Sequence, residues 1–459
     1  MVAVDAGEGP NEEEGQVTMG LARESPPPGG TSSSSAQGRT DPGGGVGIME
    51  LVVESMNLRA ALKRVQQNKG APGIDGISTS SLADVLREMW PRLRQELLDG
   101  TYRPQPVKRV SIPKKGGGTR ELGIPTVVDR FIQQALLQVL QRRIDPSFSS
   151  HSHGFRPGHS THGAIRQALA YVAEGRDVVV DVDLARFFDR VNHDVLMSRV
   201  ARHVDDKRAL RLIRRFLEAG VMAGGVTFMR DEGTPQGGPL SPLLANILLD
   251  DVDKALEASG SCFVRYADDV NVYVRSARAG ERVMARLRKL FARLRLQVNE
   301  DKSAVAPVSS RKFLGFTLRR FKGKARVFVA PQSLDRFKDR VRDETRPTRG
   351  KSLDEVIAGL AKWMKGWKAY FAIPECVVER EFPELDGWVR RRLRSMVLRQ
   401  WRHGRVIYHQ LRARRIKSHW CTLIARHARS YWHNSHTSAM HKAFPNRFFD
   451  KRGLPRLST

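Results

Sequence analysis

Apolar positions change period several times along the chain, and each change marks an element. From about Met49 they recur at helical spacing through Leu58, Ala61, Leu62 and Val65. That helix is predicted to end at the turn cluster Gly70-Ala71-Pro72-Gly73-Ile74-Asp75-Gly76. A second helix is predicted over about 80–98. Between 107 and 124 the pattern becomes strand, glycine turn, strand: Lys108 to Pro113, Gly116 to Gly118, and Thr119 to Ile124, a β-hairpin. Helices are predicted at 127–144 and 164–173, and Val178 to Val182 is an apolar strand interrupted only by Asp181. The stretch 195–220 reads as helix. So does Pro242 to Leu256, with Ser241 as N-cap and Pro242 at the first helical position. Phe263 to Val274 reads as two short strands around Asp268-Asp269, followed by a helix over about 280–294 and short strands to about 330. Beyond Pro331, helices studded with Trp and Arg take over.

Helices alternating with small groups of strands argue an α+β fold, not a doubly wound nucleotide fold. The first ~50 residues are rich in Gly, Pro, Ser and acids and have too little apolar surface to offset ordering entropy, so a disordered leader is expected over 1–50. No solenoid repeat is present.

Composition narrows the partner. The 459 residues carry a formal net charge of +29. Such an excess repels itself unless a polyanion neutralises it, which points to nucleic acid. An anionic membrane would call for a basic amphipathic anchor, and none is found. Nor does any run approach the ~20 apolar residues of a membrane helix. The three cysteines, Cys262, Cys376 and Cys421, form no CxxC, so neither a disulfide framework nor a Cys-rich zinc site is supported. Together with the lack of an apolar signal segment, this fits a reducing cytoplasm.

Candidate chemistry lies in acids at strand ends. Asp181 and Asp183 follow Val178-Val179-Val180, and Asp268-Asp269 stands within Phe263-Val264-Arg265-Tyr266-Ala267-Asp268-Asp269-Val270. Acids are poor strand residues and costly to bury unpaired, and hard cations compensate them best. Mg²⁺ takes one or two carboxylates plus substrate phosphates. Two neighbouring strands, each bringing an Asp to the same end, suit two ions roughly 3.5–4 Å apart. An isolated Asp-Asp at a hairpin tip would by itself be structural.

The neighbouring motifs change that reading. Tyr266-Ala267-Asp268-Asp269 resembles the YxDD signature of reverse transcriptases. Asp183-Leu184-Ala185-Arg186-Phe187-Phe188-Asp189 resembles their preceding palm motif, and Thr234-Pro235-Gln236-Gly237-Gly238-Pro239-Leu240-Ser241-Pro242 the PQG motif between them. The Asn68–Gly76 cluster is similar to the N-terminal element of group II intron enzymes. Ile112-Pro113-Lys114 through Arg120-Glu121-Leu122-Gly123-Ile124-Pro125, with Asp129-Arg130, is similar to their fingers hairpin. His153-Gly154-Phe155-Arg156-Pro157-Gly158, Asn299-Glu300-Asp301-Lys302-Ser303 and Phe313-Leu314-Gly315-Phe316 complete the resemblance. Leu360 to Phe371 resembles the maturase block of the thumb, so likeness covers about 50–459.

The resemblance implies a right-hand polymerase fold. Fingers and palm would span 51–330, an α-helical thumb/maturase domain 331–400, and a basic DNA-binding segment 401–459. It implies an RNA-directed DNA polymerase that is also an intron maturase, working in the bacterial cytoplasm or nucleoid. The partners implied are group II intron RNA, target DNA with a primer 3′-OH, and dNTPs. Asp183 and Asp268 would bind two Mg²⁺ ions, with Mn²⁺ a possible substitute, and Asp269 would add charge behind them. Lys114 and Arg120 would close on the triphosphate, and Lys115 is read as a solvated charge. Phe188 would exclude a 2′-OH while Phe187 packs in the core, and Gln236 would sit beside the nascent base pair. Lys302 has two readings, an aid to the leaving pyrophosphate or a surface lysine after a turn. Phe313, Leu314 and Gly315 would position the primer end. One departure is visible: Leu184-Ala185-Arg186 stands between Asp183 and the aromatics, where relatives often carry a Lys-Gly pair.

Nucleic-acid contacts are expected from Arg156, Lys362, Lys365, Lys368, Arg390, Arg391 and Arg394. Trp363, Trp367, Tyr370 and Phe371 fall on one helical face, read mostly as core, with the lysines turned outward. Residues 387–459 hold 18 Lys/Arg against one acid, Asp450, so binding should fall steeply with salt. His427, His433, His436 and His441 with Cys421 fit no zinc-ligand spacing, and no zinc is expected. The end after Gly453-Leu454-Pro455 resembles the branch without a C-terminal nuclease domain, so no second-strand cleavage is expected. A splicing factor with a degenerate palm, or a copy domesticated for defence or repair, are the alternatives. The intact carboxylates argue against the first and the maturase block against the second.

Overall fold

The computed structural model describes residues 47–113, 119–223, 226–228, 232–233, 237–346 and 350–458, so all but the end of the expected leader lies outside the described residues. The strands in chain order are β1 (Val107–Pro113), β2 (Thr119–Ile124), β3 (Val178–Val182), β4 (Val221–Ala223), β5 (Val226–Phe228) and β6 (Cys262–Tyr266). They continue with β7 (Asp269–Val274), β8 (Ala304–Pro307), β9 (Phe316–Phe321), β10 (Lys324–Val329) and β11 (Cys376–Val377). The chain divides into two compact units, each made of two stretches: 1–146 with 188–244, and 147–187 with 245–459.

In the first unit the sheet order is β2-β1-β4-β5. β1 and β2 form the expected hairpin, with Lys108 opposite Ile124 and Pro113 opposite Thr119. The helix Val127–Ile144 is buried along most of its length, as its dense apolar sequence requires. Thr126 caps it by accepting from the Asp129 amide. Asp129 in turn accepts from Tyr102 Oη at 2.8 Å and Thr126 Oγ1 at 2.6 Å, and burial still pushes its carboxyl up to about 6. The Asn68–Gly76 cluster lies against the start of this helix. A Cβ on Gly73 would come within 2.6 Å of Thr126 Cα, and Arg130 Nη2 donates to Ala71 O at 2.6 Å. The expected helix over 195–220 is two helices, His193–Val200 and Lys207–Glu218. Asp206 starts the second by accepting from the Arg208 amide at 2.9 Å, a cap that outweighs the continuing helical pattern. The short strands β4 and β5, three residues each, carried no periodic signal in the sequence.

The second unit holds an antiparallel sheet, β6-β7-β3-β8, and a smaller one, β11-β10-β9. Helices Thr161–Ala173 and Ala277–Arg293 lie on them. The latter packs so tightly that a Cβ on Gly280 would meet Val305 Cγ1 at 2.4 Å. From Pro331 the chain is mainly helical, with Leu353–Phe371 opened by a Ser352/Glu355 capping box and Glu381–Trp401 the longest helix. One hydrophobic core runs from Ala164 and Val179 through Phe316 and Phe337 to Phe449 and Leu457. Residues on both sides of 330 contribute to this core.

Candidate active site

β6 and β7 are joined by a two-residue turn, Ala267-Asp268, closed by the pair Tyr266 and Asp269. Ala267 adopts φ 58°, a left-handed conformation that a side chain rarely takes. β3 lies antiparallel beside β7 with Val182 opposite Val270 and Asp181 opposite Asn271. That register carries Asp183 to the level of Asp269. Residues opposite one another share a face, so Asp181, Asp183 and Asp269 line one side of the sheet end, with Asp268 in the turn above.

The electrostatics follow from this crowding. Surrounding protein, together with Asp268, Asp181 and Asp183, pushes the Asp269 carboxyl up to about 7 although the side chain reaches solvent. Burial also raises Asp181, against the pull of Arg311, whose Nε donates to Asp181 Oδ2 at 2.7 Å. The turn after Asn299 secures Asp183. Its carbonyl accepts from the Asn299 amide at 2.9 Å, its amide donates to Ser303 Oγ at 3.0 Å, and Lys302 Nζ stands 4.0 Å from Asp183 Oδ2. Among the described residues no three Asp, Glu, His or Cys side chains form a closed metal cage. A magnesium site of one or two carboxylates completed by substrate phosphates needs none. Hard oxygen donors alone, and an acid that resists ionising beside its neighbours, fit a divalent cation.

Sequence reasoning missed what holds this turn from beneath. Arg265 is fully buried and makes its ion pair with Asp253, also fully buried, at 2.6–3.0 Å. Its Nη1 donates to Ala267 O and to Asn246 Oδ1, both at 2.9 Å, and Asn246 Nδ2 donates to Gly154 O at 2.9 Å. A Cβ on Gly154 would lie 2.2 Å from the Ala267 nitrogen, so only glycine admits this approach. The signal available was an arginine between apolar strand residues, directly before the acids. The segment containing Gly154 adds to the edge of β6, where the Arg265 amide donates to His151 O and the His153 amide to Arg265 O. Arg156, expected at nucleic acid, donates to the carbonyls of Ser149 and Ser152 in this same segment.

The Phe313–Phe316 motif is also a two-residue turn, with Leu314 at φ 51° and Gly315 at φ 84° and reciprocal hydrogen bonds between Phe313 and Phe316. Tyr370 Oη donates to Leu314 O at 2.8 Å, and Ser333 Oγ to Gly315 O at 2.9 Å. The aromatic face of Leu353–Phe371 is largely core. Trp363 and Trp367 pack on Phe337 at 4.9 and 4.7 Å, while Lys362 and Lys365 are exposed and Lys368 Nζ donates to Arg456 O.

Two expectations need correction. Arg390 and Arg394 are 2% and 1% exposed and cannot face a phosphate backbone. Arg390 pairs with Asp386 and Asp450, and Arg394 donates to Phe444 O and Asn446 Oδ1, because this face of their helix carries the core residues Val389, Leu393 and Val397. Arg391 is half-buried over the Trp432 ring at 4.0 Å. Phe188 is partly exposed and belongs to the first unit, Phe187 is buried in the second. Lys114 and Gln236 lie outside the described residues, and of Arg120 only the backbone in β2 is described.

Comparison with known proteins extends the motifs to whole domains. A family model for "Reverse transcriptase (RNA-dependent DNA polymerase)" matches residues 112–318, and one for "Group II intron, maturase-specific domain" matches 334–420. Protein YkfC of Escherichia coli (strain K12) is 32% identical over 315 residues, 60% of this chain and 83% of that protein. The group II intron-encoded protein LtrA of Lactococcus lactis subsp. cremoris is 38% identical over 195 residues, 42% of this chain and 32% of LtrA. A 91 kDa protein in the cob intron of Schizosaccharomyces pombe is 33% identical over 41% of this chain and 24% of its own length. The chain thus spans most of YkfC but a third or less of the two intron proteins.

Proposed function

This chain belongs to the group II intron-encoded reverse transcriptases that carry a maturase domain, and we propose on that premise that it binds intron RNA, promotes its splicing and copies it into DNA from a target-DNA primer. The observation that carries the reading is the set of acids at one sheet end, Asp183 beside Asp269 with Asp268 in the adjoining turn. Asp183 and Asp268 would hold the catalytic cations, and Asp269, crowded against them, would ionise fully only once the cations are bound. Two Mg²⁺ ions, or Mn²⁺ in their place, would supply activation of the primer 3′-hydroxyl and stabilisation of the leaving pyrophosphate. Lys302, whose Nζ lies 4.0 Å from Asp183 Oδ2, would neutralise that pyrophosphate. Lys114 and Arg120 take the triphosphate, Phe188 excludes the 2′-OH by bulk, and Gln236 meets the nascent pair. The Leu314-Gly315 turn, fixed by Tyr370, orients the primer end.

We read 51–330 as fingers and palm, 331–400 as thumb and maturase domain, and 401–459 as the DNA-binding segment. With Arg390 and Arg394 buried, the polyanion falls to exposed cations such as Lys362, Lys365, Arg405, Arg415 and Lys417. The test is primer extension on an RNA template with dNTPs and Mg²⁺. Asp183→Ala and Asp268→Ala should each slow extension by about a thousandfold. Extension by Asp268→Ala at the wild-type rate sinks the assignment. Wild-type protein that stimulates splicing yet polymerises with neither metal would favour the splicing-factor reading instead.

A further inference from the structure

The β9–β10 hairpin has a face that none of these roles uses. Its register sets Thr317 opposite Phe328, Arg319 opposite Arg326 and Phe321 opposite Lys324, all on one side. On the other side Phe316, Leu318, Val327 and Val329 enter the core, so the hairpin is a firm platform. Its tip, Lys322-Gly323 at φ 49° and 76°, is a tight two-residue turn.

Charge on this hairpin is one-sided. Residues 316–329 contain Arg319, Arg320, Lys322, Lys324 and Arg326 and no acid. Arg320, on the core side, is held by Asp177 and by Val172 O. Arg319, Arg326, Lys322 and Lys324 are exposed, and among the described residues Arg319 and Arg326 have no acidic partner. Like charges directly opposite on paired strands destabilise a sheet, since the side chains start only about 4.5–5.5 Å apart. Arg319 is kept in place by the Phe328 ring, 3.8 Å below its guanidinium. Phe321 remains 44% exposed beside Lys324.

A merely solvated face would gain from acids among these cations. An opposed arginine pair next to a half-exposed aromatic ring, T-shaped against Phe328 and with Lys322 Nζ 5.6 Å from its centroid, instead matches a polyanion with flat, apolar faces. A ring at the surface stacks on a base only where the base is unstacked, as in loops and bulges of RNA. We propose that this face docks intron RNA, with phosphates on Arg319, Arg326, Lys322 and Lys324 and an unpaired base on Phe321. The proposal rests on intron RNA being the partner inferred above.

The experiment measures binding of a structured group II intron RNA and of a DNA duplex against KCl concentration. Arg319→Gln with Arg326→Gln should weaken RNA binding and flatten the slope of log K against log salt by about 1.4, two contacts at the single-strand value. Phe321→Ser should weaken RNA binding by about tenfold with the slope unchanged, and leave the duplex unaffected. Should the arginine variant melt early, Lys322→Gln with Lys324→Gln at the exposed tip gives the same reading of the slope. RNA affinity and slope equal to wild type in all three variants overturn the proposal, as does an equal loss on the duplex with Phe321→Ser. Wild-type protein that fails to bind intron RNA overturns the functional reading itself, a distinct result.

Discussion

Two regions of the second unit bury arginine, and they use it differently. Beneath the Ala267-Asp268 turn, Arg265 meets a single acid, Asp253, and directs its remaining donor toward Asn246 and the Ala267 carbonyl. In the helix Glu381–Trp401, Arg390 and Arg394 join their helix to Asp450, Phe444 and Asn446. The first arrangement shapes the backbone turn that carries Asp268, proposed above as a metal ligand. The second ties the C-terminal segment down. Asp386, pairing with Arg390, also accepts from the amides of Leu457 and Ser458, which anchors the chain end. A buried cation with a partner removed is costly in either place, but only the first should reach the chemistry.

That contrast can be broken most forcefully at Arg265. Arg265→Met leaves Asp253 charged and alone, and should cost about 3–5 kcal/mol in denaturant unfolding. Arg265→Met with Asp253→Leu should recover much of that stability, yet primer extension per folded molecule should stay low, because the Ala267 carbonyl has lost its donor. Full activity in the stable double variant would show that the turn needs no such clamp. Arg390→Met should cost about 3 kcal/mol while nucleotide addition by the folded fraction is unchanged. Arg394→Met should cost less, about 1–2 kcal/mol. Its partners are neutral, and burial has already drawn its guanidinium down to about 10.

A smaller change sharpens the comparison from the backbone side. Arg186 takes φ 49°, where a side chain is strained and glycine is not. Arg186→Gly should stabilise the protein by about 0.5–1 kcal/mol, readable as a rise in Tm. A last effect concerns pH. Asp269, raised to about 7 in the folded protein, binds its proton more tightly than in the unfolded chain. In metal-free buffer its contribution to stability is therefore present below the unfolded carboxylate value and is lost as pH rises toward 7. Asp269→Asn should flatten that part of the stability profile measured in EDTA, and an unchanged profile would count against the carboxylate crowding.

Much of the site was legible because its motifs are local. The paired strands 107–113 and 119–124, the strand Val178–Val182 and the strand ending at Tyr266 come from short runs whose period agrees with the structure. The break at 201–206 was not legible, since a side-chain cap at Asp206 competes with a helical pattern that continues on both sides. Nor was the burial of Arg390 and Arg394. In a run of four arginines within five residues, composition suggests a surface, and only the helix's packed face reveals which ones are enclosed.

By itself the sequence determined the chemistry: which acids exist, the order of the motifs around them, and the cationic excess that calls for a polyanion. Those are properties of residue type and spacing, carried by the chain whatever its path. Tertiary structure decided the rest. The register that brings Asp183 level with Asp269, the Arg265 clamp under Ala267, the glycine contact from 113 residues earlier and the opposed arginines on the β9–β10 hairpin all join positions distant along the chain. Such pairings depend on how strands align and which faces bury, and no local period encodes them.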